Sequence, residues 1–140
     1  MEGSSANFFG GQTAGKLPEL PSTYFARNFF VGASFMHRNE ALVRDQIGID
    51  KIMWGGDFPH VEGSYPYSKE ALRATFAELP VDEVRQMVCT NAANVYGFDL
   101  ERLQPIADKV GPTTSEVAEP LVTVPDSWCN AFARRPVYVE

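Results

Sequence analysis

With 140 residues, 44% of them apolar and 21% charged, the chain has the length of one domain and a globular composition, which excludes a disordered or fibrous protein. Eighteen acidic against 12 basic side chains give a net charge of −6, and the basic residues are scattered, so a phosphate backbone is repelled and nucleic acid is excluded as an expected partner. No apolar run approaches the ~18 residues of a membrane span, and the first residues lack a charged leader and an apolar core; the expectation is a cytoplasmic protein with no membrane partner, its Cys89 and Cys129 reduced thiols outside any CxxC pair.

Residues 1–23 are punctuated by Gly10, Gly11, Gly15, Pro18 and Pro21 and read as a flexible arm. Residues 27–35, RNFFVGASF, are almost continuously apolar and read as a strand buried on both faces, as in a parallel sheet. Asn39 is placed to cap a short helix whose apolar face is Ala41, Leu42, Val43 and Ile47, with Gly48 ending it. IDKIMWGG then reads as a second buried strand, so strand, helix and strand make one βαβ unit.

Ser68 is placed to cap a helix with the stripe Leu72, Thr75, Phe76 and Leu79, stopped by Pro80. Asp82 starts another, with Val84, Met87 and Val88 on its buried side. TNAANVYGFD reads as a last turn capped by Asn91 and closed by Gly97, and a weaker helix follows Asp99 to Gly111. Residues 24–111 therefore form the folded part, and 112–140, with Pro112, Pro120, Pro125 and Pro136, an extended tail that needs a surface to lie on.

The run KIMWGGDFPH, residues 51–60, carries the chemistry. Alternation puts Met53, Gly55 and Asp57 on one face. At the C-terminal end of a parallel strand Asp57 lies where α/β folds keep their sites. Gly55 and Gly56 remove side chains before it, which would let a ligand approach the backbone. A carboxylate there serves as a hard metal ligand or a base toward water. It serves equally to cap a loop by accepting backbone N–H bonds, and spacing does not decide between them.

KIMWGGDFPHVEGSYPYSKEAL resembles the last-strand signature of the amidohydrolase-related superfamily, in particular its aminocarboxymuconate-semialdehyde decarboxylase-like TIM-barrel metal-dependent hydrolases. Asn91, Ala92, Ala93, Tyr96, Gly97, Phe98 and Asp99 resemble that family's closing motif, and PSTYFARNFFVGASF its penultimate strand. Gly56 stands where many relatives have Ser. The resemblance implies that Asp57 is the acid that binds the catalytic divalent metal, usually zinc, or shares a proton with its water. It implies hydrolysis or non-oxidative decarboxylation of a small carboxylic or cyclic substrate.

That family draws further metal-binding histidines from earlier strands. This chain has only His37 and His60, and no H-x-H pair. One aspartate falls short of the roughly three protein ligands of a catalytic zinc, so the expectation is that this chain alone binds no metal. Only two strands are legible, against the eight of a TIM barrel. The fold expected is therefore a C-terminal fragment of a TIM (β/α)8 barrel, its last two parallel strands with helices and a C-terminal extension. The sequence leaves open an enzyme completed by the rest of a barrel, as a split subunit, a truncated product or a piece of a longer chain, and an inactive remnant or interaction module. Bare strand edges also suit self-association.

His60, three residues past Asp57, is placed to orient the carboxylate or touch substrate, or simply to bond to backbone. His37 faces the same strand ends and otherwise serves structure. Trp54 reads as packing between strand and helix or as a substrate platform, Arg134 and Arg135 as solvated charge or as partners of carboxylates. Tyr65, Pro66, Tyr67 and Ser68 would rim a site with aromatic surface, or pack as an ordinary loop.

Overall fold

The structure is a computed structural model, and it describes residues 17–34, 36–61 and 63–124. The chain divides into two compact units, up to Phe30 and from Val31 onward. Cys129, Arg134 and Arg135 lie outside the described residues.

In the first unit, helix α1 spans Pro21–Asn28. Pro21 at its start has the fixed φ that a first helical turn needs. Phe25 stacks on Phe29 one turn on, at 5.4 Å, and Arg27 pairs with Glu19 at 3.0 Å and covers the Tyr24 ring. The expected arm therefore contains the start of a helix, and Arg27 and Asn28 close that helix instead of opening a strand. The run FF reads as strand by propensity, but local i, i+4 contacts decide its first residues.

The second unit is mixed helix and strand around a two-stranded parallel sheet. Strand β1, Val31–Ser34, pairs with β2, Ile52–Gly55, in the register Val31 with Ile52 through Ser34 with Gly55. Between them come α2, Arg38–Leu42, α3, Arg44–Ile47, and a 3-10 turn, Ile49–Lys51. The expected helix is cut at Val43, whose ψ of 17° leaves the helical range. The cut breaks the 3.6-residue period, so Ala41 is buried while Leu42, Val43 and Ile47 stay exposed. The cap is His37, not Asn39: its imidazole accepts the Asn39 N–H, while Glu40 accepts the His37 N–H at 2.7 Å, a reciprocal capping box.

Helix α4, Ser68–Phe76, buries Leu72, Thr75 and Phe76 as their spacing predicts, but it ends before Leu79 and Pro80, and its cap position is Tyr67, with Ser68 the first helical residue. Helix α5, Val81–Arg85, continues through a π-helical turn, Gln86–Thr90, into α6, Asn91–Tyr96, which Gly97 ends in the left-handed conformation. Met36, Ala41, Ile52, Leu72, Phe76 and Met87 form the core cluster, with Trp54, Val84 and Val88 packed on it. Removing Ile52 or Phe76 from water contributes roughly 1.5–3 kcal/mol each.

Asn91 is not a cap. It is buried inside the continuous helix, and its carboxamide donates to the carbonyls of Ile49 and Ile52, 2.7 Å each. It thus ties α6 to the start of β2. Thr75 does the same for the end of β1, its hydroxyl donating to the Met36 carbonyl at 2.7 Å.

Helix α7, Leu100–Val110, starts at Asp99, whose carboxylate accepts the Arg102 N–H, and buries none of its residues. The tail is not wholly extended. Thr113 and Glu116 form a capping box that starts α8, Thr114–Ala118, and α8 lies on α4. Lys69 pairs with Glu116 at 2.7 Å, and Arg73 donates to the carbonyls of Glu119 and Pro120. Among the described residues no helix is long and apolar enough to cross a membrane.

Candidate functional site at the end of strand β2

Because β1 and β2 are parallel, both strands leave the sheet at the same end, beyond Ser34 and Gly55. The β2 exit is built by main-chain bonds. The Asp57 carbonyl accepts from His60 N–H, the His60 carbonyl from Gly63 N–H, the Gly56 carbonyl from Ser64 N–H, and the Ser64 carbonyl from Tyr67 N–H, at 2.7–2.9 Å. The buried Ser64 hydroxyl adds a bond to the Gly56 carbonyl and one to Ser68, which anchors the loop to α4.

Gly63 is a residue whose importance the sequence reading missed. A Cβ there would stand 2.9–3.0 Å from the carbonyl oxygens of Asp57, His60 and Gly56, so only glycine lets the loop close over the strand end. The spacing Asp57-x5-Gly63 gives no local sign of this, because the crowding comes from the folded loop. The space beside Gly56 is not open to a ligand as the sequence suggests. A Cβ on Gly56 would meet the Ser64 hydroxyl at 3.1 Å and the Trp54 ring at 3.5 Å.

Asp57 is held at φ 55°, in the left-handed region that Asp and Asn tolerate better than other side chains. Its Oδ1 lies 3.2 Å from His60 Nδ1, with 26% of the Asp57 side chain exposed against 66% of His60. This geometry fits an Nδ1–H donating to the carboxylate. The structure brings these two predicted site residues together. It does not bring His37 to them as a free donor, since its Nδ1 is committed to the cap. Burial holds the His37 imidazole below its ordinary value of 6.5, against the opposing pull of Glu40.

In the same loop, Phe58 and Tyr65 meet edge to face with centroids 5.4 Å apart. Trp54 packs on the core, as its place in β2 predicts.

The family model described as Amidohydrolase matches residues 12–98, well over half of the chain, and the chain belongs to the amidohydrolase family. The match takes in both strands, the Asp57 loop and α4 to α6. No curated protein matches the chain.

Members of the family typically bind divalent metal ions. A catalytic site of that kind takes about three protein donors and an open position. Among the described residues no three His, Cys, Asp or Glu side chains converge. Asp57 and His60 supply at most two donors, and the Nδ1 of one is turned to the carboxylate of the other. The described residues therefore do not by themselves fit a complete metal site.

Proposed function

We propose that the chain supplies the last two β/α units of an amidohydrolase-type TIM barrel, and that Asp57 is the acid of the last strand in a hydrolase or non-oxidative decarboxylase acting on a small carboxylic or cyclic substrate. The observation that carries this is the Asp57 carboxylate, two residues beyond a parallel strand, in a left-handed backbone and paired with an exposed imidazole. Strain of this kind is kept where a side chain must be aimed. In such a site Asp57 accepts a proton or a polar contact from the reacting group, and His60 holds the carboxylate in orientation through its Nδ1–H. The remaining donors would come from outside the described residues, with the open edges of β1 and β2 joined by the rest of a barrel.

The test is reconstitution with a polypeptide carrying the earlier β/α units of an amidohydrolase. The expected result is an equimolar complex that turns over members of a panel of amides, lactones and carboxylic acids. Failure to associate, with both partners folded, contradicts the reading.

A second reading is a non-catalytic interaction module, and the absence of three convergent donors among the described residues favours it for the chain alone. Metal content by mass spectrometry after dialysis separates the two: stoichiometric zinc or manganese on the chain by itself overturns the module reading.

A further inference from the structure

The two peptide planes that meet at Asp57 are each held from across the loop. The Gly56 carbonyl, in the plane before it, accepts the Ser64 N–H at 2.9 Å and the Ser64 hydroxyl at 3.3 Å. The Asp57 carbonyl, in the plane after it, accepts the His60 N–H at 2.9 Å. The orientation of these planes fixes φ and ψ of Asp57, and with them the direction of its Cα–Cβ bond. A side-chain-bearing residue at φ 55° keeps that value only where its surroundings impose it. On the N-terminal side of Asp57, Ser64 imposes it.

The Ser64 N–H already satisfies the Gly56 carbonyl, so the hydroxyl is not there to spare a buried acceptor. It adds a second point of attachment and a link to a helix. Ser64 is only 2% exposed, and its hydroxyl lies 2.9 Å from that of Ser68, the first residue of α4. On its other side it fills the space of a side chain at Gly56. A Cβ there would stand 3.1 Å from the hydroxyl, which could give way only by leaving its partners.

We propose that Ser64 is a positioning residue for the Asp57–His60 pair: through the Gly56 carbonyl and the Ser68 hydroxyl it locks the Asp57 backbone to α4 and keeps the carboxylate within reach of the His60 ring. The inference rests on the reading of Asp57 as the acid of the site and adds what aims it.

The experiment uses the full chain, whose two histidines, His37 and His60, give separate imidazole signals. Nitrogen NMR of the rings at mildly alkaline pH reports the tautomer of each. In the wild type the 3.2 Å contact between Asp57 Oδ1 and His60 Nδ1 predicts the Nδ1–H form of His60. In Ser64→Ala that form should give way in part to Nε2–H, while the His37 signals stay in place. Gly56→Ala pushes the hydroxyl off its partners without altering Ser64, and should give the same change. The double variant should show no more than either single one, because both act through one hydroxyl. A wild-type His60 already in the Nε2–H form, a His60 tautomer unchanged in both single variants, or an equal change at His37 overturns the proposal. In the reconstituted complex Ser64→Ala should lower kcat about 2- to 10-fold with KM unchanged, the worth of one hydrogen bond. Turnover that survives Asp57→Asn, with the His60 tautomer still dependent on Ser64, sinks the site reading alone. A tautomer indifferent to Ser64, with turnover still dependent on Asp57, sinks the positioning role alone.

Discussion

The two strand exits carry the same residue type to different ends. After β1, the chain reaches His37 and turns at once into α2, with the imidazole spent on the helix N-terminus. After β2, the chain makes a longer, self-bonded loop and leaves His60 exposed against Asp57. One exit uses its histidine to finish a helix. The other spends backbone strain, a crowded glycine and a buried serine on holding a carboxylate and an imidazole in the open. A histidine past a parallel strand is thus read by what its nitrogens already do: the Nδ1 of His37 serves a helix cap, and that of His60 a carboxylate.

The entry of β2 should prove the stiffest point of this contrast. Asn91→Ala leaves the Ile49 and Ile52 carbonyls without their donor, and should cost roughly 2–4 kcal/mol; urea denaturation measures it. A loss well under 1 kcal/mol would mean that β2 is not clamped there. His37→Ala should cost about 1 kcal/mol, the worth of an N-cap. It should leave any Asp57-dependent activity unchanged. The pH dependence follows from the lowered value of His37. Above 6.5 the imidazole is neutral both folded and unfolded, and the cap is fully present. As pH falls below 6.5 the unfolded chain takes up the proton first, so stability declines through that window. His37→Asn, a neutral cap, should flatten the decline in thermal melts recorded across it.

At the other exit the sign reverses. Asp57→Gly relieves the left-handed backbone and should raise stability by up to about 1 kcal/mol while deleting the carboxylate. A variant that is both stabler and inactive marks the strain as kept for function. A destabilised Asp57→Gly would mean that the His60 contact matters more to folding than to chemistry. The smallest effect is expected at the tail. Lys69 and Thr113 hold the Glu116 carboxyl down at about 2, so the contribution of that pair is complete above 4.5 and fades as pH drops toward 2. Hydrogen exchange confined to α8 should speed up there, and in Lys69→Ala at neutral pH.

Much of the second unit was legible because its signals are local. The stripe Leu72, Thr75 and Phe76, the stop at Gly97 and the helix beyond Asp99 each depend on residues within a turn or two. The two parallel strands were legible from apolar runs, though the first was expected to begin at Arg27, and Arg27 and Asn28 instead close α1 before β1 begins at Val31. Asn91 misled because a polar residue before an apolar turn looks like a cap, while its real partners lie 39 and 42 positions away. The Asn39 cap failed by two residues because the sequence does not say which side chain reaches the free N–H. At the site, Asp57 and His60 were legible as candidates, but Gly63 was not, since its need for glycine arises only when three carbonyls converge on it.

The account turns on Asp57, and the most direct measurement is the turnover of the reconstituted complex with Asp57→Asn, which keeps the shape and the left-handed backbone but loses the charge. The account predicts assembly and stability equal to wild type with a rate lower by about 10²-fold or more. Assembly with an unchanged rate would contradict it.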